Sequence, residues 1–161
     1  MYVYTMGQWL LFFFLYCFLG WVWESCYVSA KQRQWVNRGF LHGPMLPIYG
    51  FGAVIILWAT LPVRQSLPLI FLLGMLSATV LEYVTGAAME ALFKVRYWDY
   101  SHQPCNLHGY ICLTSSLAWG AFSILLVRVL HPPFEDLVLW LPSFLPDALA
   151  GALTVYTTAD P

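Results

Sequence analysis

Apolar stretches of bilayer-crossing length recur along almost the whole of this chain, and one of them, residues 67–91, holds two acids, Glu82 and Glu90. A helix needs about 20 apolar residues to span the hydrocarbon core. With 60% hydrophobic, 18% aromatic and 9% charged residues, the 161-residue chain leaves no room for a sizeable soluble domain beside such spans. Spans are expected at 2–28, 44–61, 67–93, 110–130 and 138–156, the last carrying Pro142, Pro146 and Asp147. Alternating segments of strand period do not recur, which argues against a β-barrel. The expected fold is an all-α membrane protein, a bundle of about five transmembrane helices in a single domain, 1–161.

Charge placement orients the bundle. Lys31, Arg33 and Arg38 fall between the first two spans, Lys94 and Arg96 between the third and fourth, and Arg64 and Arg128 on the opposite side. Basic residues favour the cytoplasmic loops, so the N-terminus is expected outside. The first span lacks the basic start and small-residue cleavage site of a signal peptide and is expected to be retained. Cys17, Cys26, Cys105 and Cys112 form no CxxC pair and are expected as free thiols. No cofactor and no nucleic-acid partner is expected.

An internal repeat is visible at an offset of 66 residues, which carries Gly20, Glu24, Leu41, His42 and Gly43 onto Gly86, Glu90, Leu107, His108 and Gly109. Two parallel helical hairpins, 1–61 and 67–127, would follow, as in transporters whose repeat axis lies along the membrane normal. That register sets Glu24 and Glu90 at equal depth, with Glu82 about 12 Å deeper at the usual helical rise.

An ionisable side chain at bilayer depth costs about 2.5–3.5 kcal/mol on insertion scales, so it is rare unless it serves a pathway or finds a partner. Glu82 shares a stripe with Gly74, Ala78, Gly86 and Glu90 at four-residue spacing, and small stripes let membrane helices approach closely. Two readings stay open: helix packing with Glu82 bonded to a hydroxyl such as Thr79 or Tyr83, or a proton- or cation-linked site facing a cavity. Gly43, Pro44, Pro47, Gly50 and Gly52 crowd the start of the second span. This predicts broken backbone, tolerated at membrane depth where protein or water surrounds it. The helix after the break would aim its partly positive N-terminus at the acids.

The loop before the fourth span offers His102, Cys105 and His108, followed by Cys112, at three- and four-residue spacing. These are metal-ligand types, but the loop itself has one thiol and His108 belongs to the repeat, so no metal is expected. Trp98, Tyr100 and Tyr110 read as an interfacial aromatic belt. Arg38, after Asn37, is either a lipid-facing arginine in a turn or a partner of Glu24 or Asp99. No G-x-S-x-G, HExxH or P-loop pattern occurs.

Together the motifs Gly20-Trp21-x2-Glu24, Val36-Asn37-Arg38-Gly39-Phe40, Gly43-Pro44-x2-Pro47-Ile48-Tyr49-Gly50-x-Gly52, Leu81-Glu82-Tyr83, Met89-Glu90, Trp98-Asp99-Tyr100-Ser101, Asn106-Leu107-x-Gly109 and Trp119-Gly120 resemble the bacterial membrane proteins catalogued as putative ABC-transporter type IV permeases. The resemblance covers roughly residues 10–129. It implies a multi-span inner-membrane protein, and because the chain has no nucleotide-binding domain, any ATPase would be a separate subunit. Leu46 stands where the family commonly has Cys, which weakens a role for a thiol there.

The expected function is a small transporter or permease subunit with its polar site in the cytoplasmic half of the bundle. Glu82 would bind substrate or proton, Glu24 and Glu90 would be gate acids, and Trp21, Tyr49 and Trp98 aromatic walls, with Asn37, Arg38, Asp99 and Asn106 completing the site. Acid plus aromatic rings favours a cationic or amphiphilic solute. So thin a bundle is expected to need a homo-oligomer. The alternative is a membrane enzyme acting on a lipid head group, with Asp99, His102, His108 and the glutamates in acid–base work.

Overall fold

The computed structural model describes residues 4–39 and 43–159, so Leu41 and His42 of the repeat lie outside the described residues. Among the described residues the chain is all-α. The helices are α1 (Met6–Gln32), α2 (Pro47–Thr60, extended by a 3-10 turn at Leu61–Val63), α3 (Leu67–Phe93), α4 (Leu113–Trp140) and α5 (Phe144–Ala159). Of these, α1, α3 and α4 are long and apolar enough to cross a membrane, while the α2 segment Pro47–Val63 and α5 are shorter.

The chain divides into two compact units. One comprises Met1–Val54 and Phe134–Pro161, the other Ile55–Pro133. In the first, α1 opens with a capping box: Thr5 Oγ1 accepts from the Gln8 amide at 3.2 Å and the Gln8 side chain accepts from the Thr5 amide at 2.8 Å, filling donors that a helix start leaves unpaired. It ends on Arg33 in the left-handed conformation, φ 57°. Ser29 and Ser25 then hold the following irregular segment, taking the amides of Val36 at 2.8 Å and Arg38 at 3.2 Å. Gly20 and Gly50 bring α1 and α2 together: a Cβ on Gly20 would strike the Tyr49 ring, and one on Gly50 the Cys17 thiol and Phe13. Residues 43–46 are not helical, and Leu46 donates to the Cys17 carbonyl at 3.1 Å. The expected backbone break is therefore there, but it ends at Pro47. Proline is pre-organised for a first helical position and loses no needed donor, so Gly50 and Gly52 are helical.

In the second unit α3 starts under a Ser66 cap, runs 27 residues and ends on left-handed Lys94, φ 59°. It lies antiparallel to α4. The small stripe is the contact face, with Gly74 on Ser123, Glu82 on Ser115 and Trp119, and Gly86 on Tyr110 and Trp98. The opposite face, Leu72, Leu76, Val80 and Val84, is 45–62% exposed. An apolar stripe of that length has no place in water, which fits a helix able to span a membrane.

The expected gap between spans at residues 131–137 is not one. The helix continues through Pro132 and Pro133 to Trp140, because residues Leu126–Leu130 form a π-helical stretch in which the His131 amide reaches back to the Leu126 carbonyl. The wider turn makes room for rings that would collide with the carbonyls of a regular helix. The turn to α5 comes instead at residues 141–143. Nor do the helix ends follow the 66-residue register. Glu24 precedes its cap Arg33 by more than two turns, Glu90 precedes Lys94 by about one.

Candidate functional site

Glu82 is held by three neutral donors from two elements. Tyr100 of the α3–α4 loop donates its phenol to Oε1 at 2.9 Å, while Ser115 Oγ (3.3 Å) and Trp119 Nε1 (3.1 Å) of α4 donate to Oε2. Ser115 and Trp119 are four residues apart and so share a helix face. The hydroxyls named from sequence as partners are engaged elsewhere, Thr79 with Ser116 Oγ at 2.8 Å and Tyr83 with His108 Nδ1 at 3.0 Å. The stripe thus packs α3 on α4 with Glu82 bonded to hydroxyls, as in the packing reading, but the hydroxyls are those of Tyr100 and Ser115.

Glu90 has a separate set. Tyr110 donates to Oε2 at 2.6 Å and Arg96 Nε lies 3.1 Å from the same oxygen. Arg96 also meets Asp99 at 3.2 Å and stands over the Tyr110 ring, 4.8 Å from its centroid. The bond to Glu90 raises the Tyr110 phenol, and the Ser101 hydroxyl and amide hold the Asp99 carboxyl below the usual carboxylate range. Burial, and then the bond to Glu82, push Tyr100 up to about 12, so it stays a donor.

A protein-family model described as Putative ABC-transporter type IV matches residues 11–161. The chain belongs to this family. No curated protein and no solved structure matches it.

The other expected site residues are placed as follows. Glu24 meets Arg38 at 4.0 Å, the limit of an ion pair. Trp21 donates to Asn37 Oδ1 at 2.6 Å, and the same oxygen takes the Gly39 amide at 2.9 Å. Tyr49 packs on Gly20. These five form the α1–α2 corner of the first unit. In the second unit Trp98 donates to the Tyr110 carbonyl at 2.9 Å, and Asn106 bonds the Gln103 carbonyl at 2.8 Å and the Gly109 amide at 3.1 Å. Asn106 and Asp99 are therefore engaged in shaping the loop. Of the metal-type residues, Cys112 caps α4 by accepting from Ser115 N–H at 3.4 Å. Sequence reasoning missed Ser115, Trp119 and Arg96 as partners of the acids and read Tyr100 and Tyr110 only as a belt. The i,i+4 pair Ser115/Trp119 on a span was the available signal.

Gly109 sits at φ +75°, where a Cβ would overlap the Arg96 guanidinium and the Asp99 carboxylate. Gly109→Ala is expected to cost about 1–3 kcal/mol through backbone strain and to free the loop. Limited proteolysis should cut the variant at residues 94–112 well before the parent.

Proposed function

We propose that this protein is a permease-type membrane subunit whose working group is Glu82, exchanging a proton for a cationic or amphiphilic solute. The observation that carries the proposal is the convergence of Tyr100, Ser115 and Trp119 on one acid in the middle of a long apolar helix. A carboxylate offers about four lone-pair sites; three accept from these donors, and the fourth, on Oε1, is where the proton, and in its turn the cation, would sit. Trp119 and Tyr100 both reach the acid, and aromatic rings attract a positive group. Glu24 with Arg38 and Glu90 with Arg96 would act as gates near the loops.

The basic loops would face the cytoplasm across a bacterial inner membrane, with the N-terminus outside. A separate ATPase subunit would supply energy, and a second copy of the chain would complete the pathway. Orientation is checked by a cysteine placed at Gln65 in a cysteine-free background. An impermeant maleimide added to intact cells should label it and should not label one placed at Lys31 or Lys94.

The function is tested with purified protein and tetraphenylphosphonium as probe. Isothermal titration should show a saturable site whose affinity falls about tenfold or more, 1.4 kcal/mol, in Glu82→Gln. Equal affinity in the two proteins would remove Glu82 from the function.

A further inference from the structure

The loop between α3 and α4 is tied both to itself and to α3. Its own backbone is tied by the Tyr100 amide to the Gly109 carbonyl at 2.8 Å and by the Leu107 amide to the Ile111 carbonyl at 3.0 Å, with Trp98 bonded to the Tyr110 carbonyl. So cross-linked a segment would move as a piece. It is fastened to α3 at two levels two turns apart. The deeper level is Tyr100 on Glu82, with Tyr83 and His108 beside it. The level at the helix end is Glu90 with Arg96 and Tyr110.

We propose that Glu90, Arg96 and Tyr110 form a latch that holds this loop closed as a lid and so regulates access to Glu82 from the loop side. Ion pairs as exposed as Glu90–Arg96, with side chains 36% and 33% accessible, contribute little each in water. A latch that must open in every cycle needs that weakness. What makes it selective is that three interactions converge on Arg96: the Glu90 carboxylate, the Asp99 carboxylate at 3.2 Å and the Tyr110 ring. Losing the Glu90 contact releases the loop from the end of α3 while leaving the loop itself folded around Arg96–Asp99 and Gly109. Tyr100 would then leave Glu82 with the moving piece, opening the fourth lone-pair site and the one Tyr100 had filled. The purpose assigned to the lid rests on Glu82 being the working acid; its existence as a moving element does not.

A native thiol reports the movement. Cys112 caps α4 directly after the Leu107–Ile111 tie and is 3% exposed. In a Cys17→Ala, Cys26→Ser, Cys105→Ser background, an impermeant maleimide reads the opening of the lid as the labelling rate of Cys112. Glu90→Gln and Arg96→Gln should raise that rate about tenfold or more, the change expected when a local opening loses one of its main ties. Tyr110→Phe keeps the ring under Arg96 and should raise it less, and it serves as the deciding variant if the other two do not fold. Leu76→Ala, on the exposed side of α3, should leave the rate within about twofold of the parent.

A version retaining only Cys17, which is 1% exposed in the other unit, controls for general loosening. An unchanged Cys112 rate in the latch variants, or a Cys17 rate that rises with it, overturns the lid. Faster Cys112 labelling together with tetraphenylphosphonium affinity indifferent to Glu82→Gln leaves the lid standing and removes the proposed function. The reverse pair of results does the opposite.

Discussion

Replacing Glu82 by alanine is expected to lower the melting temperature of the detergent-purified protein by roughly 5–10 °C, at about 2–4 °C per kcal/mol for a chain of this size. The acid accepts from Tyr100, Ser115 and Trp119, and truncation leaves donors facing apolar surroundings at about 1–3 kcal/mol each. The three are not equal. Ser115 Oγ already lies 3.1 Å from the Cys112 carbonyl and can turn to it, and the Tyr100 phenol can swing toward the loop. The Trp119 indole has a single N–H, which goes to Glu82 Oε2 at 3.1 Å, and no hydroxyl rotation with which to redirect it. Most of the loss should therefore trace to Trp119. In a Trp119→Phe background, Glu82→Ala should cost less than half as much. An additive pair would mean that the two residues do not share an interaction.

Gly74→Leu should be more damaging to assembly of the second unit than any substitution on its lipid-facing side. A Cβ at residue 74 would run into Ser123, which is itself fully buried and bonded to the Trp119 carbonyl at 2.8 Å. Overpacking in a tight core costs about 1–3 kcal/mol. Here the strain also pushes α4 off the face that carries Ser115 and Trp119, so the cage around Glu82 loosens with it. Leu76→Gly is a poor control because it weakens the helix. Leu76→Ala, at a residue 51% exposed, should change the melting temperature little. Tryptophan fluorescence of Trp119 should shift in Gly74→Leu and not in Leu76→Ala.

Much of the architecture was legible because bilayer solvation imposes it. Long apolar runs must become helices, since no other open structure satisfies its backbone in lipid. The third span was read to the residue. The stripe of Gly74, Ala78 and Gly86 showed where a neighbour would approach. The region after Leu130 was misread for a local reason. Pro132 and Pro133 look like the end of a helix unless a π-helical stretch precedes them, and nothing in Leu126–Leu130 advertises one. The repeat register aligned Glu24 with Glu90, but a matched pattern of few residues does not fix how far each acid lies from its own helix end.

The geometry around the candidate acids was legible in part. The cost of an intramembrane acid singled out Glu82 without help, and the Trp98–Tyr110 segment was marked by its aromatic density. The partners were harder. Tyr100 reaches Glu82 only because the loop folds back on itself through Asn106 and Gly109, a tertiary fact with no sequence period. Arg96 was counted as a topogenic charge and is also the hub of the Glu90–Asp99 network.

The central claim, that Glu82 trades a proton for a cation, is tested most directly by infrared difference spectroscopy on protein reconstituted in lipid at constant pH. Adding tetraphenylphosphonium to the parent should remove or shift one protonated-carboxyl band, and the same difference spectrum recorded with Glu82→Gln should lack that feature. An identical carboxyl change in both proteins, or none in the parent at saturating cation, would contradict the account.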